Sequence, residues 1–211
     1  MFVLVLAFLA GIVQFGLISI AFDRLGLSPV SAYLLLLGTL GGSLINLPLF
    51  SLTSDRREPL GMTAQWGRWP LLIPPLVTNK TVVAVNVGGA VVPISFSLYL
   101  FTHTPLTLGQ VAAAVAVVAV IARMISRPIP SVGIGMPVLV APIAAALIAT
   151  LLNAPLRAPL AYIGGSLGVL IGADLLRLND IRKLGAPVAS IGGAGTFDGI
   201  FLTGLVAVLL A

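Results

Sequence analysis

The residues best equipped for chemistry are two aspartates near the C-terminal end of the chain, Asp174 and Asp198. Asp174 stands in the apolar run Leu170-Ile171-Gly172-Ala173-Asp174-Leu175-Leu176, and Asp198 follows the glycine run Gly192-Gly193-Ala194-Gly195 and the pair Thr196-Phe197. Two carboxylates facing each other in a low-dielectric site hold one proton between them, because like charges at close range cannot both ionise. Such a pair activates a water for peptide hydrolysis. The same shared proton would serve a relay in a transporter, and the sequence leaves both uses open. Each aspartate also has a structural reading: Asp174 as the ion-pair partner of Arg177 at i+3 or of Lys183, and Asp198 as an acid favoured at a helix start. Asp180, close to Asn179 and Arg182, reads as a solvated loop residue.

Other chemistries lack their residues. There is no cysteine, hence no thiolate nucleophile and no cysteine metal site, and the one histidine, His103, falls in a short loop. No metal centre and no cofactor are expected, and no phosphate-cradling glycine loop followed by Lys and Ser or Thr is present. The polar residues Gln14, Asn46 and Asn86 lie in apolar surroundings, where amides either line a cavity or hydrogen-bond between helices.

These residues must be positioned by membrane-type elements. The 211 residues are 59% hydrophobic and 8% charged, against about 25% charged in a soluble domain. Apolar stretches run over Phe2–Ile20, Val30–Phe50, Thr81–Phe101, Leu108–Ala122, Val132–Leu152, Pro159–Leu178 and Val188–Ala211, and a span needs about 20 residues. The expectation is an all-α polytopic transmembrane bundle of about seven spans, the fourth short, in a single domain over residues 1–211. Met1–Ile20 carries no charge, so it reads as a retained first span and not as a cleaved signal peptide.

Lys and Arg accumulate in cytoplasmic loops. Alternate loops carry Arg56, Arg57, Arg68 and Lys80, then Arg123 and Arg127, then Arg177, Arg182 and Lys183, whereas the opposite loops carry Arg24 and Arg157. This places the N-terminus inside, the C-terminus outside and the protein in the cell membrane. Tyr33, Tyr99 and Tyr162 then fall at the external ends of their spans as interface anchors. The net charge of +5 is scattered over short loops and forms no nucleic-acid stripe; its partner is the anionic inner leaflet. The long loop 51–80, with Trp66, Arg68 and Trp69, is expected to lie on the cytoplasmic membrane surface.

Glycine breaks interrupt the third span at Gly88-Gly89 and the seventh at Gly192-Gly193-Ala194-Gly195. Backbone can leave the helix at membrane depth only where protein or water covers it; small-residue packing alone accounts for Gly88-Gly89. At the second break Thr196 is a good N-cap and Asp198 falls in the first turn. The stretch from Thr196 to Ala211 is only about 24 Å of helix, so Val188–Gly195 should enter the membrane extended. Asp174, one turn before Arg177, lies about 5 to 10 Å below the cytoplasmic surface. An extended entry brings Asp198 to similar depth on the next, antiparallel helix. A weak internal repeat sets Leu44–Leu49 against Leu170–Leu175 and Val87–Ala90 against Ile191–Ala194, so that the second and third spans echo the sixth and seventh.

Three blocks of sequence carry a resemblance. They are Tyr162-Ile163-Gly164-Gly165-Ser166-Leu167-Gly168 through Asp174 to Arg182-Lys183-Leu184-Gly185-Ala186-Pro187 and Gly192–Phe201, then Asn86-Val87-Gly88-Gly89-Ala90, and Ser126-Arg127-Pro128. Together they resemble the prokaryotic membrane family called domain of unknown function 1614, a name that implies no activity. More distantly, the chain is similar to the presenilin and signal-peptide-peptidase class of intramembrane aspartyl proteases. In that class one Asp lies on an outward-to-inward helix and its partner on the next, after a Gly-x-Gly-Asp motif. The resemblance implies hydrolysis of a transmembrane peptide by Asp174 and Asp198. The chain departs from the class where Thr196 and Phe197 separate Gly193-Ala194-Gly195 from Asp198. Ala173 stands where the class has Tyr, and no Pro-Ala-Leu segment follows. The competing expectations are a small proton-coupled transporter or channel moving a small solute, with interrupted helices in corresponding places, and a scaffold without a site.

Overall fold

A computed structural model describes residues 16–53, 80–129, 133–183, 188–193 and 199–211. These residues are predominantly helical. In chain order they form α1 (Leu17–Arg24), α2 (Pro29–Gly42), β1 (Asn46–Thr53), β2 (Lys80–Asn86), a π-helical turn Val87–Val91, α3 (Val92–His103), α4 (Leu108–Ile125), β3 (Arg127–Ile129) and β4 (Gly133–Gly135). There follow α5 (Val140–Leu152), a 3₁₀ turn (Ala154–Leu156), α6 (Arg157–Val169), a second π-helical turn (Leu170–Asp174), a 3₁₀ stretch (Leu175–Lys183), β5 (Val188–Ile191) and α7 (Gly199–Leu210).

Helix starts follow local chemistry. Ser28 accepts the Ser31 N–H at 3.2 Å with Pro29 in the first turn of α2, and Thr107 and Gln110 close a reciprocal capping box on α4. That box opens an 18-residue helix of mean hydropathy 2.1. The fourth span, expected to be short, is thus one of two helices among the described residues long and apolar enough to cross a membrane. The other is the continuous run Ala154–Ile181, 28 residues with mean hydropathy 1.5.

Four expected spans are shorter as helices, because part of each is strand, the fifth opening as β4 ahead of α5. The second span ends at Gly42 and gives way to β1, the third opens as β2, and the seventh opens as β5. β1 pairs antiparallel with β2, and β2 pairs parallel with β5. Pro48 cannot continue a helix, and Val82, Val83 and Val85 are β-branched residues that suit a sheet. A three-stranded sheet, β1-β2-β5, and a β3–β4 hairpin therefore join a fold that the sequence reads as all-α. Val188–Ile191 is extended, as the short seventh helix requires.

Small residues fill many of the buried positions between helices, around a few large ones such as Leu100, Leu160, Tyr162 and Phe201. The buried positions of α4, α5 and α6 are dominated by Ala114, Ala119, Ala122, Ala141, Ala145, Ala149, Gly164, Gly165 and Gly168. Large apolar side chains point outward, Leu151 at 80% and Met124 at 76% exposure among them. Close backbone approach through small residues is how helices associate when their exterior is lipid. Gly172 shows the constraint: a Cβ there would collide with the backbone of Ala119 on α4. Tyr162, expected as an interface anchor, is instead fully buried, with its ring edge-on to Phe96 at 4.9 Å between centroids. Tyr33 and Tyr99 are exposed.

Helix ends and strands segregate. Arg24 at the end of α1 donates to the Val208 and Leu209 carbonyls at the end of α7, and Gln110 and Asn153 join the start of α4 to the end of α5. The sheet, the hairpin and both π-helical turns lie towards the opposite ends of these helices.

Candidate functional site

Asp174 closes the π-helical turn at the end of α6. Ala154 to Asp174 is about 30 Å of helix, as long as a hydrocarbon core is thick, and the carboxylate closes that run. Single π turns of this kind re-aim side chains and are frequent at functional sites. Half-buried, Asp174 accepts the Gly192 N–H on Oδ2 at 2.7 Å. Gly192 has φ of 85°, a left-handed conformation that side chains disfavour. A Cβ at this position would also stand 2.7 Å from the Ala90 nitrogen. Gly193, at φ 93°, turns the chain away after the strand.

The sheet brings the polar residues of three segments to this point. Asn46 pairs with Asn86 across β1 and β2, and the parallel register of β2 with β5, Val85 opposite Ile191, carries the row on to Gly192. Asn86 is buried and fully used: its amide donates to the Ser43 carbonyl at 2.8 Å and to Asn46 Oδ1 at 3.1 Å, and its Oδ1 accepts the Gly89 N–H at 2.8 Å. Ser190 donates to Asn46 Oδ1 at 2.6 Å. Gly88 packs so tightly on α2 that a Cβ would collide with the backbone of Thr39 and Ser43. Asn86, Gly88, Gly89, Gly192, Gly193 and Asp174 thus come together around one crossing of backbones. Asp198, Gly195 and Thr196 lie outside the described residues, as do residues 54–79 of the expected surface loop.

Two structural readings of the sequence are corrected. Arg177 does not pair with Asp174: its guanidinium bonds Asp180 at 3.0 Å, Ser126 Oγ at 2.7 Å, and the Arg123 and Ser126 carbonyls. Arg177 therefore caps the end of α4 and binds the segment after Asp174 to it. Asp180 is accordingly no free loop acid; its side chain is 19% exposed and also stands 4.0 Å from Arg123. Sequence reasoning missed Arg177, Ser43 and Ser190 as organising residues. The signal for Arg177 was its position one turn after an aspartate inside an apolar helix. Among the described residues no three His, Cys, Asp or Glu side chains gather as a metal-binding group.

An apolar-faced helical bundle with a short sheet at one end, a carboxylate set on a glycine junction, and two helices fit to cross a membrane define the class of protein. The family described as "Protein of unknown function (DUF1614)" matches residues 40–210, and the chain belongs to it. No curated protein matches the chain. No solved structure matches it.

Proposed function

We propose that this chain is a polytopic membrane protein of about seven spans, N-terminus cytoplasmic, whose working centre is an aspartate pair, Asp174 with Asp198, hydrolysing a transmembrane peptide. The observation that carries the reading is the Gly192 N–H on Asp174. It ties the first aspartate to the segment that leads, six residues on, to the second. In the reaction, one carboxylate takes a proton from water as the water oxygen adds to the peptide carbonyl, and the other, protonated, gives its proton to the carbonyl oxygen. Collapse of the tetrahedral adduct breaks the C–N bond, and the amine leaves with a proton from the pair. The glycine crossing keeps bulk away from the carboxylate, and the outward-facing Leu and Met side chains suit a lipid exterior.

The test is purified chain in proteoliposomes with a panel of single-span reporter peptides. Cleavage lost in both Asp174→Asn and Asp198→Asn supports the hydrolase; cleavage that survives either substitution contradicts it. A second reading, proton-coupled transport, draws on the two strand–glycine–helix units, β2 to α3 and β5 to α7, whose strands lie parallel. Uptake in the same liposomes that follows a proton gradient without any cleavage favours it.

A further inference from the structure

We propose that the end of α4, through Arg123 and Arg127, binds the phosphate headgroup of an anionic glycerophospholipid. The inference rests on the membrane reading and gives the basic charge a specific site.

The geometry begins with Arg177. Its guanidinium takes the Arg123 and Ser126 carbonyls, so Arg177 already serves as a cap at the end of α4. Asp180 is committed to Arg177 at 3.0 Å and stands farther, 4.0 Å, from Arg123. Arg123 therefore keeps most of its charge for solvent, with 41% of its side chain exposed, and Arg127 is exposed on β3. Three arginines against one aspartate leave this corner positive.

The surroundings suit a lipid more than a soluble anion. Just ahead of Arg127 in the chain, Met124 is 76% exposed, as are Val120 one turn earlier on α4 and, to a lesser degree, Ile129 on β3. Cations directly above an outward apolar strip match a phosphate above acyl chains. Counting from Leu108, Arg123 lies about 22 Å along the helix, from where its long side chain snorkels to the surface, and Arg127 lies just past the helix end at about 27 Å, near headgroup depth for a core of about 30 Å. A guanidinium grips phosphate oxygens in a planar fork that an ammonium group cannot reproduce.

The experiment places the purified full chain in nanodiscs of equal phosphatidylglycerol and phosphatidylcholine, then counts the lipids retained on release into detergent by native mass spectrometry. The wild type should retain phosphatidylglycerol in several-fold excess, an excess that shrinks as salt screens the pair. The double variant Arg123→Gln, Arg127→Gln should retain both lipids equally, and Arg123→Lys, Arg127→Lys should recover only part of the preference. Arg127→Gln alone, at an exposed position that leaves the fold intact, should lose about half of the excess. A wild type without preference, or an Arg127→Gln variant that keeps all of it, overturns the site while the membrane reading stands. Failure of the chain to enter nanodiscs at all overturns the membrane reading itself.

Discussion

Two glycine junctions lie side by side in this protein and do different things. At Gly88-Gly89 the cap is local: Asn86, immediately upstream, accepts the Gly89 N–H and spends its amide on Ser43 and Asn46. The junction is neutral, buried and closed. At Gly192-Gly193 the strand is parallel to the first and the turn is again glycine, but the cap comes from another helix and is a carboxylate, Asp174. Among the described residues only one oxygen of that carboxylate is engaged. A local neutral cap makes a packing joint, whereas a carboxylate brought in by a distant helix leaves an oxygen free for chemistry.

Damage to the closed junction should be the most severe. Gly88→Val drives a side chain into the Thr39–Ser43 backbone, and since backbone cannot move aside as a side chain would, the loss should reach or exceed the ~3 kcal/mol upper range of ordinary overpacking. Little folded protein should survive detergent extraction and size-exclusion chromatography. Asn86→Leu should follow, because it leaves the Gly89 N–H and the Ser43 carbonyl unpaired in a buried site, at about 1–3 kcal/mol for each group; a thermal melt in detergent reads it. The open junction should respond in the opposite manner. Asp174→Asn keeps an oxygen that accepts from Gly192, so its melt should shift by less than about 1 kcal/mol, while the activity assigned to the aspartate pair disappears. Were Asp174→Asn to destabilise as much as Asn86→Leu, the contrast between the two junctions would fail.

Orientation can be read independently. The chain has no cysteine, so Ser54→Cys and Thr104→Cys report separately to a membrane-impermeant maleimide on intact cells. Thr104→Cys should label and Ser54→Cys should not; the reverse pattern inverts the proposed topology.

Legibility of the fold followed the physics of each signal. Apolar length anticipated the helices from α2 onward, whereas α1 runs to Arg24, past the expected end of the first span at Ile20. The first two strands of the sheet were hidden because a short apolar run reads the same in a buried strand as in a helix; Val82-Val83-Ala84-Val85 is such a run, whereas the extended Val188–Ile191 followed from the shortness of the last helix. Pro48, two residues past Asn46, was the available hint that the second span could not remain helical. The fourth span was underestimated because Arg123 looked like its end, whereas α4 runs on to Ile125 and is closed by Arg177 from afar. At the site, Asp174 and the glycine breaks stood out as polar or flexible residues in apolar sequence. Their meeting through Gly192 depends on parallel pairing of segments about a hundred residues apart, which no local pattern encodes.

The central claim is that Asp174 and Asp198 act as one unit holding a single proton, and carboxyl infrared spectroscopy of the reconstituted chain tests it without a known substrate. The wild type at neutral pH should show the C=O band of one protonated carboxyl, shifted by exchange into deuterated water. Either Asp174→Asn or Asp198→Asn should remove or displace that same band, and the double variant should add nothing further. A wild type without the band, or a band that persists unchanged in one of the single variants, would mean that the aspartates titrate independently and that no shared-proton site exists.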